Sequence, residues 1–496
     1  MKQFSRPPGT HDFLPAEMAS RNYVEKVMCE TFEEYGFQPI QTPLFEEFGL
    51  LSAQAGEEIR QKMFTFVGSD RVDYALRPEL TAPVCRLIAT GALQHLPYPH
   101  KLYYVGQCVR QEPVGQDREF RQAGIELIGS ESVLADAEII AIPVKILEKL
   151  NISDYNLKVG NTGIFREMFS VVDIHSKDLS EIIGDINHLT QLREECEFLQ
   201  TQPETTSIEY IKKELQALRR LQGSAYDGKY EIDRATLEEL EADAAQEWLE
   251  QLPKVAEEVY QITWKKSLSL TDEMFQLCLN VAKIHGSREY VMEEWDKLTR
   301  ETAAQAKQDL VELCDWLEHF GVTNHTVDLG ITRGFEFYTG TVFQIESPLL
   351  ETQHQICGGG RYDRLIKEFG GPDLAGAGFA FQFERFIEVF EKSQNENATV
   401  ELRKDCYIAT TTSELIPRAI EIAETLREQG KKVEIDLMSR ALEAQLDYAA
   451  NMNYDYALIL APDTLQQNEG VLRNLKTETE RPAPFAALAD LFAEMS

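Results

Sequence analysis

The sequence predicts a chain of α+β class with a strand-rich core, a helical insertion and a small C-terminal α/β domain. Three observations carry this. Lys101–Glu112, Arg118–Ile128 and Ile331–Phe343 alternate with a period of two, and the last is rich in β-branched and aromatic residues. From Ile152 to Phe320 the pattern becomes helical and strongly acidic. Near the C-terminal end, strands and helices alternate, which implies a largely parallel sheet. At 496 residues the chain has room for roughly two to four domains, each with its own core.

Composition narrows the function. Hydrophobic content of 43% and charge of 27% are those of a globular protein. The formal charge of −34 argues against broad, non-specific nucleic-acid binding, which needs lysine and arginine against phosphates, but leaves room for a local basic site. The segment Met1–Thr10 holds a Pro-Pro-Gly turn and no apolar run, so no signal peptide is expected. No apolar run is long enough to span a bilayer. Eight scattered cysteines without a Cys-x-x-Cys pair read as buried free thiols in a reducing cytoplasm. The nine histidines lack metal-ligand spacing, so no protein-held metal is expected.

In chain order, Arg21–Tyr35 places Tyr23, Val24, Val27, Met28, Phe32 and Tyr35 near one helical face, and Gly36 closes it. Gln38–Thr42 reads as a short strand stopped by Pro43, and Tyr74–Leu76 as another. The latter leads through Arg77-Pro78-Glu79-Leu80-Thr81 into a helix at Ala82–Thr90, where Glu79 and Thr81 suit capping as well as they suit a site. Pro113–Asp117 supplies a hairpin turn. If the flanking strands pair with like faces together, Arg110, Glu112, Arg118, Gln122 and Glu126 converge. That patch is either a grip for phosphate and ammonium groups or an exposed ion-pair ladder.

Within the acidic stretch, Ala235–Glu250, Leu270–Ile284 and Asp309–Phe320 are candidate amphipathic helices, the last with Leu310, Leu313, Trp316, Leu317 and Phe320 inward. In Ile331–Phe343 the period of two sets Phe335, Phe337, Thr339, Thr341 and Phe343 on one face. Gly334, Glu336, Tyr338 and Gly340 fall on the other, with Arg333 at the strand entrance. Glycines flanking an acid and a phenol suit either the floor of a polar pocket or a solvent face. The run Cys357-Gly-Gly-Gly-Arg361-Tyr362-Asp363 suits a turn or a close backbone approach. Ala375–Ala380 reads as a small-residue strand entering a helix near Glu384 and Arg385. Glu391–Glu401 reads as a linker; Cys406–Ala409, Val433–Leu437 and Tyr456–Ala461 are strands around a helix at Glu414–Glu428.

These blocks together resemble the histidyl-tRNA synthetase family of class II aminoacyl-tRNA synthetases. The blocks are Arg6–Pro15, Thr42-Pro43, Leu76–Thr81, Val109–Glu112 with Arg118–Phe120, Arg333–Gly340, Gly359–Asp363 and Glu384-Arg385. The resemblance implies an antiparallel sheet flanked by helices in residues 1–150 and 326–392, an insertion over 151–325, a linker at 393–401 and an anticodon-binding-like domain over 402–496. It implies a cytoplasmic homodimer that activates L-histidine with ATP and charges tRNA(His), with Mg²⁺ arriving on ATP. Arg110, Arg333 and Arg385 are then the catalytic arginines. Glu79, Leu80, Thr81, Gln122, Glu126, Phe337, Tyr338 and Tyr362 would join Arg110 and Arg333 around histidine. Glu112, Arg118 and Phe120 would join Arg110 and Arg385 around ATP.

The chain departs from the family's pattern in several places. The turn from Glu112 to Arg118 is shorter, Gln382 replaces a small residue before Arg385, Phe337 replaces a tyrosine, and Glu443-Ala444 stand where paired lysines are common. The alternatives are the synthetase-like regulatory subunit of ATP phosphoribosyltransferase, or a paralogue drifted into a binding role.

Overall fold

The computed structural model describes residues 4–53, 55, 57–112, 116–169, 176–200, 204–222, 228–229, 232, 240, 244–268, 270–299, 303–331, 337–350, 354–394, 404–488 and 491. The chain divides into two compact units, Met1–Leu14 with Ser20–Ala398, and Pro15–Ala19 with Thr399–Ser496. Among the described residues no helix is long and apolar enough to cross a membrane.

The larger unit is built on a nine-stranded sheet and a three-stranded one. In chain order their strands are β1 (Gln38–Pro39), β2 (Phe45–Glu47), β3 (Thr65–Val67), β4 (Asp73–Leu76), β5 (His100–Val109), β6 (Glu119–Ile128), β7 (Asn156–Asn161), β8 (His285–Gly286), β9 (Thr326–Asp328), β10 (Thr341–Glu346), β11 (Gln355–Arg361) and β12 (Gly376–Gln382). The large sheet runs β1-β5-β6-β12-β11-β10-β7-β9-β8, and the small one β2-β4-β3. Only β1–β5 and β7–β9 pair in parallel; the other neighbours in both sheets are antiparallel.

The β5–β6 hairpin carries the register that matters. His100 pairs with Ile128 and Val109 with Glu119, so Tyr104, Gly106 and Cys108 share a face with Gly124, Gln122 and Phe120. A one-residue slip would turn all of them over, and the buried face forbids it. Helices cover the sheet. In Val133–Lys149, Ile139, Ile140, Ile142, Ile146 and Leu147 are buried, and the Ser132 hydroxyl caps the start by accepting from the Leu134 amide at 3.2 Å.

That helix also supplies Asp136, which pairs with Arg361 of β11. Both are nearly sealed from solvent, and the guanidinium meets the carboxylate at 2.6 and 3.1 Å while bonding the Ser130 and Ser132 carbonyls at 2.9 and 3.1 Å. Removing one partner of such a pair strands a buried charge. Asp136→Ala is therefore expected to destabilise the protein by about 3–5 kcal/mol, read as a large fall in thermal midpoint.

Several expectations are corrected. The strand expected over Ile331–Phe343 begins only at Thr341, and residues 332–336, Arg333 among them, lie outside the described residues. Phe337–Gly340 is a turn held by tertiary bonds. Thr339 N–H donates to the Arg361 carbonyl at 2.8 Å, and Arg166 donates to the Tyr338 carbonyl at 2.9 Å. Phe337 and Tyr338 are consequently both buried, with ring centroids 4.8 Å apart, instead of on opposite faces. The glycine run 358–360 is strand rather than turn, since a side chain at Gly359 would strike Gly378 and Phe379 on the next strand.

The stretch from 151 to 325 is helical over Ser176–Leu199, Glu204–Gln222, Ala245–Ser267, Asp272–Ala282, Arg288–Thr299 and Ala304–His319. It also contains β7 and β8, which belong to the large sheet. The helix expected from Ala235 begins at Ala245, with residues 235–239 and 241–243 outside the described ones. In Ala304–His319, Cys314 is buried with Leu310, Leu313 and Leu317, while Phe320 is 37% exposed.

The smaller unit has strands β13 (Lys404–Thr410), β14 (Val433–Ile435), β15 (Tyr454–Leu460), β16 (Glu469–Asn474) and β17 (Glu480–Pro484), ordered β14-β13-β15-β16-β17. Its sheet is mixed: β13 pairs in parallel with β14 and β15, whereas the unanticipated β16 and β17 add antiparallel edges. One core packs Ala419, Ile422, Ala423 and Leu426 of the Ile416–Glu428 helix against Ile408 and Leu458. A second packs Ala449 of Leu442–Asn451 against Tyr407 and Tyr454.

Candidate active site

The β5–β6 face forms the floor of a polar cluster centred on Glu126. Its carboxyl is fully buried and accepts from the Tyr104 hydroxyl at 3.1 Å and from the Tyr362 hydroxyl. Burial pushes the pKa of Glu126 up to about 8, although hydrogen bonds from Tyr362, Thr81 and Tyr104 pull the other way. Gln122, also buried, accepts from the Cys108 thiol at 3.4 Å. Gln122 and Glu126 therefore stand outside any exposed ion-pair ladder on this hairpin.

Glycines across the sheet make room for the cluster. A Cβ at Gly378 would overlap the Glu126 carboxylate, one at Gly376 the Tyr362 ring, and one at Gly124 would come within 2.9 Å of the Tyr104 hydroxyl. Gly378→Ala is thus expected to cost about 2–3 kcal/mol through overpacking and to displace Glu126. Thermal unfolding checks this. An unchanged midpoint would contradict the packing described.

A second group lies towards the hairpin turn. Arg110 Nε donates to the Pro78 carbonyl at 3.0 Å, and its guanidinium sits 4.9 Å from the centre of the Phe120 ring. Pro78 is held in turn by its neighbours. Arg77, 6% exposed, donates to the carbonyls of Gln107, Thr42 and Pro43 at 2.8, 2.8 and 3.0 Å and to the Thr42 hydroxyl at 3.1 Å. Glu79 points at the start of the Thr81–Ala89 helix, accepting from the amides of Thr81 and Ala82. It therefore acts as the capping group that its position allowed. Burial raises its pKa, while those two amides and Arg110 oppose the shift.

Leu80, Phe120, Phe337, Tyr338 and Tyr362 lie in one apolar cluster with Tyr104 and Cys108. Arg118 donates from Nε to the Glu112 carbonyl at 2.8 Å, and the Glu112 carboxylate pairs with Lys62 at 3.1 Å. Arg385 is half-buried and donates to the Gln355 carbonyl at 3.3 Å. Burial, then Arg110, lowers its pKa, against opposing fields from Glu112 and Asp117. The neighbouring Glu384 accepts from Arg21 at 2.7 Å and from the Arg121 amide at 2.8 Å, and Gln382 stands opposite Gln122 in the β12–β6 register.

Sequence reasoning left Tyr104, Arg77, Arg166 and Asp136 without a role. Only Tyr104 carried a signal, its place on the same hairpin face as Gln122. Arg77, Arg166 and Asp136 act through contacts 30 to 225 positions away.

Comparison with known proteins identifies the family. Residues 9–272 and 258–386 match the model of the histidyl-tRNA synthetase family, and residues 405–495 match an anticodon binding domain. A histidine–tRNA ligase of Methanococcus maripaludis is 31% identical over 483 residues, covering 96% of this chain and 97% of that protein. One of Archaeoglobus fulgidus is 32% identical over 482 residues with the same coverage. The crystal structure of histidyl-tRNA synthetase from Nostoc superposes with a TM-score of 0.70 at 22% identity over the whole of both chains. That of an ATP phosphoribosyltransferase regulatory subunit/histidyl-tRNA synthetase from Bacillus halodurans gives 0.64 at 22% identity, covering 92% of this chain and 98% of that one. The chain belongs to the histidyl-tRNA synthetase family.

Proposed function

We propose that the protein, a histidine–tRNA ligase, activates L-histidine with ATP over the β5–β6 face and passes it to tRNA(His). The histidine carboxylate attacks the α-phosphorus of ATP, the bond to pyrophosphate breaks, and histidyl-adenylate forms. A hydroxyl of the terminal tRNA ribose then attacks the adenylate carbonyl, giving histidyl-tRNA and AMP. Positioning and charge stabilisation supply nearly all of the catalysis.

The observation that carries the reading is Glu126, a buried carboxyl bonded by two tyrosine hydroxyls beside Gln122. Those groups suit the N–H groups of an imidazole and an ammonium, with Glu79, Leu80, Thr81, Phe337, Tyr338 and Tyr362 around them. Arg110, planar and fixed against Pro78 and Phe120, suits the α-phosphate and the histidine carboxylate together. Arg333 stabilises charge at the reacting phosphorus. Phe120 stacks on adenine, while Glu112, Arg118 and Arg385 hold the rest of ATP.

Mg²⁺ bound to ATP would neutralise phosphate charge. Among the described residues no group of three or more His, Cys, Asp or Glu side chains fits a metal, so no residue is assigned to it. The chain acts in the cytoplasm as a homodimer formed through the Thr42-Pro43 segment. The C-terminal anticodon-binding match favours charging over the regulatory-subunit alternative. Incubation with ATP, labelled L-histidine and tRNA(His) should yield histidyl-tRNA. Histidine binding without charging would overturn the proposal.

A further inference from the structure

Pro7–Phe13 runs against the turn between β5 and β6 and is bonded to it repeatedly. The Gly9 carbonyl accepts from the amides of Arg118 and Glu119 at 2.8 and 3.3 Å. His11 Nε2 lies 2.6 Å from Asp117 Oδ1, with the two side chains 42% and 46% exposed. The Thr10 hydroxyl donates to the Pro7 carbonyl at 2.8 Å and closes the local turn. Gly9 has φ +76°, and a Cβ there would lie 2.7 Å from Arg118 Cγ and 2.8 Å from the Gln116 carbonyl. Glycine is therefore required by conformation and by space.

The other end of the segment is tied as well. The Phe13 ring lies 3.8 Å from the Arg21 guanidinium carbon. Arg21 donates to one oxygen of Glu384 at 2.7 Å, and the other oxygen accepts from the Arg121 amide at 2.8 Å. One short segment thus connects Arg118 with the Phe383–Ser393 helix that carries Arg385. Both arginines belong to the ATP end of the site, while Glu126 lies further along β6.

We propose that Pro7–Phe13 is a strap fixing the ATP end of the site, in which His11 is a positioning residue acting through Asp117 on Arg118. The inference rests on the assignment of Arg118 and Arg385 to ATP. His11 also has an electrostatic task. Asp117 acts on Arg385 as well as standing beside Arg118, so an unpaired carboxylate there would repel a polyphosphate. A histidine that donates to it moderates that repulsion.

The test uses the full-length protein and ATP–pyrophosphate exchange. His11→Ala should raise KM for ATP by about fivefold, the upper range for a half-exposed pair, with KM for histidine and thermal midpoint unchanged. His11→Arg should restore the ATP value. An unaltered ATP KM in His11→Ala would overturn the strap, as would proportional changes in both KM values or a lowered midpoint. Arg118→Ala separates the two levels. If it leaves the ATP KM unaltered, the ATP-site assignment itself has failed. If it raises that KM while His11→Ala does not, only the strap has failed.

Discussion

Arg110→Ala should impair adenylate formation severely, lowering kcat for ATP–pyrophosphate exchange by about 10³-fold, the upper range for one preorganised donor aimed at developing charge. The expectation rests on how this side chain is held. Its Nε is committed to the Pro78 carbonyl at 3.0 Å, which fixes the plane of the guanidinium, and the Phe120 ring supports it. Pro78 is in turn flanked by Arg77, anchored in Thr42, Pro43 and Gln107, and by Glu79, anchored on helix amides. Arg110→Lys keeps the charge and loses the fork, so it should recover little and remain about 10²-fold down. Full activity in either variant would show that the reacting phosphate lies elsewhere.

Glu126→Gln tests the other end of the site. Gln preserves the shape and much of the hydrogen bonding to Tyr104 and Tyr362 but removes the ionisable group. The value of kcat/KM for histidine should fall by about 10²-fold, as for a lost hydrogen bond to a charged group, with KM for ATP unchanged. The pH dependence has a definite sign. Burial raises the carboxyl from its ordinary 4.5 to about 8, so the folded state holds the proton more tightly than the unfolded one. Stability from this group is complete below about pH 4.5 and is lost as pH rises through about 8. Wild type should therefore lose more stability than Glu126→Gln across that window, followed by denaturant unfolding at each pH. Parallel curves would mean that Glu126 is not held protonated.

How much of this was legible in the sequence depended on the range of the interactions. The β5–β6 hairpin was legible because its alternation and its turn are local, and the resulting register sets Gln122 and Gly124 on the face of Tyr104. Glu79 was legible as a cap for the same reason. The turn at Phe337–Gly340 was not. Its aromatic alternation is a proper strand signal, overridden by bonds from Arg166 and to Arg361 that no local pattern encodes. The place of β7 in the sheet was hidden likewise, because Asn156–Asn161 gains its pairing from β10, far along the chain. In the glycine run, the need for small residues became readable only when Phe379 stood opposite Gly359 and Tyr338 opposite Gly360.

The most direct test of the central claim is amino-acid-dependent ATP–pyrophosphate exchange on the purified protein, with all twenty amino acids supplied singly and Arg110→Ala as control. Exchange with L-histidine alone, lost in the variant, is the predicted result. Exchange driven by another amino acid, or none with histidine despite measurable histidine binding, would contradict it.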